Sequence, residues 1–191
     1  MKTLNFRITG VAPLIPHNGL LADPLYEGTI LISKISQKRP KTEADLEEMA
    51  RLEFLYSLYL KDGKPCIPGV VLEAALSGKG GAARKMKKGK QAAAGLFVLE
   101  NFPLEYEGPT DPKELWKDER FRLRVACKVQ QNKVMRTRPI FEKWAANVEV
   151  MYNPDLVDKA EVNQWMEVAG FEVGLMDWRP KYGRFEVEVL G

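Results

Sequence analysis

An α+β fold is expected from this sequence on three observations. Apolar residues alternate with period two at Leu4, Phe6 and Ile8, from Phe121 to Val129, and at Phe185, Val187 and Val189, the mark of half-buried strands. Helical spacing intervenes at Val71, Leu72, Ala75 and Leu76, and again at Val162, Trp165, Met166 and Ala169. The resulting order of strand, helix, strand pair, helix and strand is that of a ferredoxin-like (RRM-like) sandwich. A chain of 191 residues, 45% apolar and 29% charged, is ordinary for a globular protein and long enough to bury a core. One domain over 1–191 is expected, with insertions at about 11–64 and 78–118 and the tip of a long basic β-hairpin at about 131–143.

The first strand ends at Gly10, and residues 11–28 are rich in proline and glycine. This loop holds His17, Asn18 and Asp23. A His near an Asp can act as base and orienter, so His17 and Asp23 are candidate catalytic residues; the alternative is a turn held by Asn18 and Asp23. Residues 29–37 fit a short helix that Lys38-Arg39-Pro40-Lys41 breaks. Thr42 and Asp45 read as a capping box opening a long helix from about Glu43 to Leu60, with acidic residues at its start and an apolar second half. Asp62-Gly63 turns the chain into a short strand ending at Pro68-Gly69, where proline suits the first helical position.

The helix from Val70 to Leu76 runs into Gly78, Gly80 and Gly81, which stop or kink it. Six cations follow with no acid among them: Lys79, Arg84, Lys85, Lys87, Lys88 and Lys90. Glycines beside clustered cations let backbone N–H groups and ammonium heads approach phosphates together; otherwise such a run is a solvated loop. Residues 91–94 continue a helix, and 96–99 and 101–107 read as strands, the second broken by Pro103. Asp111-Pro112 opens a brief helix through Trp116.

From Arg120 to Lys143 there are eight cations against one acid, Glu142. On a strand pair formed by 121–129 and 144–150 they make a basic ribbon, with Arg136 and Arg138 near a tip carrying Ile140 and Phe141. Apolar residues at an exposed tip mark a contact surface, so Ile140 and Phe141 are the expected oligomer contact. Lys159 to Ala169 is helical, capped by Gly170. The loop from Gly174 to Gly183 then holds Trp178, Arg179, Lys181 and Tyr182, with Arg184 next. Arginine beside stackable rings is the composition that grips single-stranded bases, unless Trp178 and Tyr182 only pin the loop to the core.

Cys66 and Cys127 sit in apolar strand contexts and read as buried free thiols. With one histidine, no zinc constellation forms, and no metal or cofactor is expected. Nor does any run approach the length of a membrane span, and no cleavable leader is evident at the amino terminus. A cytoplasmic protein without a membrane partner is expected.

Two stretches carry a resemblance. Ile67-Pro68-Gly69-Val70-Val71-Leu72-Glu73-Ala74-Ala75-Leu76 resembles the Pro-Gly-Ser-Ser-Leu-Lys-Gly-Ala-Leu-Arg helix start of the RAMP superfamily, the RRM-like proteins of CRISPR effector complexes. Gly174 to Phe185 is similar to the glycine-rich loop before that family's last strand. Val70 and Val71 stand where the family has serines, and Glu73 where it has a cation. The chain also resembles uncharacterised proteins of tailed phages over nearly its whole length. The nearest family member is the crRNA-binding backbone subunit, and the resemblance implies a protein that coats single-stranded RNA or DNA as a filament or ring. The expected grip is Lys79, Arg84, Lys85, Lys87, Lys88, Arg136, Arg138, Arg179, Lys181 and Arg184, with Trp178 and Tyr182 stacking. Some backbone subunits cleave RNA through an Asp in the loop after the first strand, which makes a metal-dependent ribonuclease using 17–23 the enzymatic rival. A phage-type structural protein docking its hairpin on an acidic neighbour is the third reading.

Overall fold

The computed structural model describes residues 1–129 and 131–190. In chain order the elements are β1 (Lys2–Gly10), α1 (Glu27–Ser36), α2 (Glu43–Ser57), β2 (Leu60–Lys61), β3 (Lys64–Ile67), α3 (Gly69–Leu76), α4 (Ala82–Lys85) and α5 (Gly89–Gly95). Then come β4 (Leu96–Phe97), β5 (Phe102–Pro103), α6 (Pro112–Lys117), β6 (Arg122–Val129), β7 (Asn132–Pro139), β8 (Ala145–Tyr152), α7 (Lys159–Val168) and β9 (Phe185–Val189). The fold is α+β, with antiparallel sheets. The chain divides into two compact units: Met1–Ile15, Pro65–Glu107 and Phe141–Gly191 form the first, Pro16–Lys64 and Gly108–Ile140 the second. Most of 11–64 therefore belongs to the second unit, and 78–118 is shared between the two.

The first unit holds a four-stranded sheet in the order β4-β8-β1-β9, every neighbouring pair antiparallel. Leu4, Phe6 and Ile8 of β1 and Val148 and Val150 of β8 are buried, together with Leu72 and Leu76 of α3 and Trp165 and Met166 of α7. Period-two burial on the strands and three-to-four spacing on the helices build this core as the sequence pattern requires. The other face of the sheet is polar. It presents Thr3, Asn5, Arg7 and Thr9 beside Asn147 and Glu149 of β8 and Glu186 and Glu188 of β9. Arg7 is its central cation and is bound at 2.8 Å to Glu105, so carboxylates dominate this face.

Several local expectations change. Pro68 is the residue before α3 rather than its first turn. Gly170 does not cap α7: the chain continues through a π-turn, Ala169–Val173, and stops at Gly174, whose φ is +74°. A side chain at Gly170 would lie 2.2 Å from the Phe185 carbonyl, so that glycine serves close packing against β9. Cys66 is buried as expected, whereas Cys127 is only half-buried; both are free thiols.

In the second unit α2 opens with the expected capping box. Thr42 accepts from the Asp45 N–H, and the Asp45 carboxylate accepts from the Thr42 N–H. The Lys38 ammonium first, and then these contacts, lower the Asp45 carboxyl pKa to about 2. The helix ends at Ser57 because Leu58 turns to extended backbone. The hairpin corrects the sequence reading most. Residues 132–139 are themselves a strand, paired residue for residue with β6 from Arg122↔Pro139 to Val129↔Asn132. The second strand of the expected pair, β8, instead joins β1 and β4 in the first unit's sheet. Among the described residues, no helix is long and apolar enough to cross a membrane.

Candidate nucleic-acid interface

The cations of the 78–90 segment are all exposed. Lys85 pairs with Glu172 and Lys88 with Glu161, each at 3.2 Å and each half-open to water. Lys79, Arg84, Lys87 and Lys90 make no ion pair among the described residues. Gly81 is needed where this segment folds back, since a Cβ there would lie 2.8 Å from the Leu76 carbonyl. The start of α3 is closed, in contrast. A Cβ on Gly69 would lie 2.4 Å from the Glu100 carbonyl, and the Gly69 N–H donates to the Asn101 side chain. Glu73, standing where the resembled family has a cation, accepts from the Val98 N–H at 2.9 Å. The helix start that carries the resemblance is thus filled by the chain itself, and the exposed charge lies after it.

Between α7 and β9 the loop is shaped by four residues of positive φ: Gly174, Met176, Trp178 and Gly183. The Leu175 N–H donates to the Gly183 carbonyl, and the Gly183 N–H donates to the Pro13 carbonyl. A side chain on Gly183 would meet the Leu175 carbonyl at 2.0 Å, so the closure excludes it. Trp178 and Tyr182 lie with ring centres 6.1 Å apart, each half-buried, while Arg179 and Lys181 are exposed. Lys181 sits 5.3 Å from the Tyr182 ring centre. Arg184 lies over the Phe171 ring at 4.8 Å, and Phe171 is 71% exposed. Phe171 was missed by sequence reasoning because a lone aromatic after a helix looks like core. Its neighbour Glu172 takes Lys85, so the π-turn brings the basic segment and the glycine-framed loop to one surface of the first unit.

The arginines of the hairpin are used differently. Arg120 pairs with Asp118 at 2.7 Å and holds its carboxyl below the usual carboxylate range. Arg122 pairs with Glu119 and lies 4.8 Å over the Trp116 ring. Arg136 binds Glu53 at 2.6 Å, and the other oxygen of Glu53 accepts from the Thr137 N–H at 2.8 Å. Glu53 is 4% exposed; it does at the edge of β7 what a third strand would do, accepting an otherwise unpaired N–H. Arg138 is 8% exposed and donates to the Thr137 carbonyl, with His17 Nε2 3.4 Å from its other terminal nitrogen. His17, Arg136 and Arg138 thus converge on one cavity. Asp23 is not part of it; exposed, its carboxylate accepts from the Leu25 N–H in a turn.

Ile140 and Phe141 are not at a tip. They follow β7 at the base of the hairpin, where Ile140 is 8% exposed and Phe141 fully buried. The Ile140 N–H donates to the Phe121 carbonyl; Phe141 bridges Leu14 through both backbone groups and packs its ring 4.7 Å from that of Tyr106, tilted by 59°. Pro139 ends the ladder and the chain turns into core at once, so these residues offer no surface for the expected oligomer contact. No protein-family model matches the chain, and no curated protein matches it.

Proposed function

We propose that the protein binds single-stranded nucleic acid, RNA foremost, through the surface formed by residues 79–90, Phe171 and the 174–184 loop. The framework for this reading is ferredoxin-like. Taken along the chain, β1, β4, β8 and β9 are its four strands, with α3 to α5 and α7 as the crossovers, and β1 and β8 central. That framework is consistent with the resemblance to RAMP backbone subunits. The open sheet face of an RRM-like domain reads bases by stacking on aromatics. Here that face is acidic, so it repels phosphate and the strand is assigned to the helix and loop side.

The observation that carries the proposal is Arg184 over the exposed ring of Phe171, next to a row of lysines. One face of the ring is covered by the guanidinium and the rest is open, which suits insertion of a base. Lys79, Arg84, Lys87 and Lys90 are free to neutralise phosphates, Lys85 and Lys88 can exchange their exposed carboxylate partners for phosphates, and Arg179 and Lys181 extend the charge along the loop. Binding is sequence-tolerant in this arrangement, since backbone charge and stacking supply it.

Fluorescence anisotropy with a labelled single-stranded oligonucleotide tests the reading. Binding that weakens steeply with salt, and that the Lys85→Ala, Lys87→Ala, Lys88→Ala variant impairs, supports it. No binding at low salt overturns it and leaves the docking of a protein partner as the better account. Cleavage of the oligonucleotide on adding Mg²⁺ or Mn²⁺ would favour the ribonuclease reading instead. Light scattering on the same samples reports whether copies line up along the strand, as the resemblance implies.

A further inference from the structure

The cavity of about 430 Å³ in the second unit has a lining that the strand-binding reading does not use. One wall is a single face of α1. Thr29, Ile32, Ser33 and Ser36 follow the three-to-four spacing of a helix face. The adjacent face of α1 packs on α2: Gly28 and Ile35 are buried, and a Cβ on Gly28 would lie 2.4 Å from the Tyr56 ring. A helix in a small unit ordinarily turns an apolar face inward. Here α1 shows three hydroxyls and one isoleucine to a void.

The facing wall is β7. Arg136 and Arg138 are alternate residues of one strand, so they project to the same side. Arg136 is held by Glu53 at 2.6 Å, which fixes its direction. Arg138 lies beside His17, with Nε2 3.4 Å from a guanidinium nitrogen, which can only donate. The lining carries two guanidiniums against one carboxylate. Planar guanidinium forks match phosphate oxygens, and the serine and threonine hydroxyls supply further donors. Leu21 and Ala22 complete an apolar side with Ile32. The volume lies in the range of small-molecule sites, about 300–1,000 Å³, and exceeds what a bare phosphate fills.

We propose that this cavity binds a nucleoside monophosphate unit, its phosphate between Arg136, Arg138 and the α1 hydroxyls and its nucleoside against Leu21, Ala22 and Ile32. The unit is either a free nucleotide or the phosphorylated end of a strand. The site does not depend on the first unit's interface, and the two can fail separately.

Isothermal titration of the full chain with adenosine 5′-monophosphate, adenosine and inorganic phosphate tests it. A second arm compares an oligonucleotide carrying a 5′-phosphate with the same oligonucleotide lacking it. The monophosphate is expected to bind at least about tenfold more tightly than adenosine, the order of one hydrogen bond to a charged group. Arg138→Gln should weaken it by at least that factor. Ser33→Val, which leaves both arginines in place, should also weaken it with the circular dichroism spectrum unchanged. The Lys85→Ala, Lys87→Ala, Lys88→Ala variant should bind the monophosphate as the wild type does. A preference seen only with the phosphorylated oligonucleotide, and lost in Ser33→Val, identifies a strand end as the source. The proposal is overturned if neither the free nucleotide nor the terminal phosphate is preferred, or if that preference survives both cavity variants.

Discussion

The two cationic stretches look alike in sequence and have opposite fates. The segment from Lys79 to Lys90 keeps its charges in water, with two of its lysines in open pairs at 3.2 Å. The stretch from Arg120 to Arg138 ties most of its arginines to its own unit: Arg136 and Arg138 turn inward to Glu53 and the edge of His17, Arg122 pairs with Glu119, and Arg120, itself exposed, pairs with Asp118. Residue type accounts for much of the difference. A lysine is a compact, strongly hydrated charge whose open pairs contribute little, whereas the arginine fork pairs with carboxylates and stacks on rings. A basic run rich in lysine and glycine remains available to a polyanion, while an arginine run on a strand can be structural. Replacement of charges should therefore damage binding in the first stretch and stability in the second.

The largest effect is expected at Glu53. Glu53→Leu leaves Arg136 and the Thr137 N–H without their shared acceptor. Removing one partner of a buried pair costs about 3–5 kcal/mol, and the lower end applies because the Arg136 side chain is 30% exposed. Urea unfolding should show a loss near about 3 kcal/mol on that basis. The triple alanine variant at Lys85, Lys87 and Lys88 should lose under about 0.5 kcal/mol, as exposed pairs do. Equal losses would break the comparison.

The second expected effect is on salt dependence. Each phosphate neutralised on a single strand adds about −0.7 to the slope of log K against log salt. Losing three cations should flatten that slope by about two, measured by anisotropy between low and moderate salt. An unchanged slope would remove the 79–90 segment from the interface.

The sequence made the first unit largely legible, because β1, β8, α3 and α7 bury clean periodic faces and periodicity is a local property. The hairpin was misread where local pattern and tertiary use part. Residues 132–139 show no apolar face, since one side carries Val134, Arg136 and Arg138 and the other Lys133, Met135, Thr137 and Pro139, and Glu53, far away in sequence, supplies the partner of the half-buried Arg136. Glu53 was visible as the lone acid within the apolar half of α2, a signal that a buried cation lay elsewhere. Ile140 and Phe141 were mistaken for a tip because their flanks are polar, although Pro139 marks the end of a ladder. In the candidate site, the lysines and the loop glycines were legible; Phe171 was not, because nothing local separates an exposed ring from a core one.

Phe171 supplies the third expected effect. Base–aromatic stacking is worth about 1–3 kcal/mol per base, and Arg184 already occupies part of the ring. Phe171→Ala should weaken single-strand binding by about fivefold, near 1 kcal/mol, with the salt slope intact because no charge is removed. A slope that changed along with affinity would mean that Phe171 acts by holding Arg184 rather than by stacking. Normal affinity would confine the interface to charge alone.

The smallest effect locates where the chain leaving the hairpin enters the core. Phe141 covers Tyr106 at 4.7 Å, and burial pushes the Tyr106 phenol up to about 12, against an ordinary value near 10. Burial disfavours the charged phenolate, so the folded state holds the proton more tightly than the unfolded state does. The stability from this group is therefore complete below pH about 10 and is lost as pH rises from there through about 12. Ultraviolet titration of tyrosinate should find one tyrosine ionising well after the exposed ones, and stability falling over the same window. Phe141→Leu trims the ring that covers Tyr106 at a cost under about 1.5 kcal/mol. It should admit water and draw the late midpoint back toward that of an exposed tyrosine. A midpoint that stays put in the variant would mean that other side chains bury Tyr106, and that Phe141 is less enclosed at the hairpin base than its contacts imply.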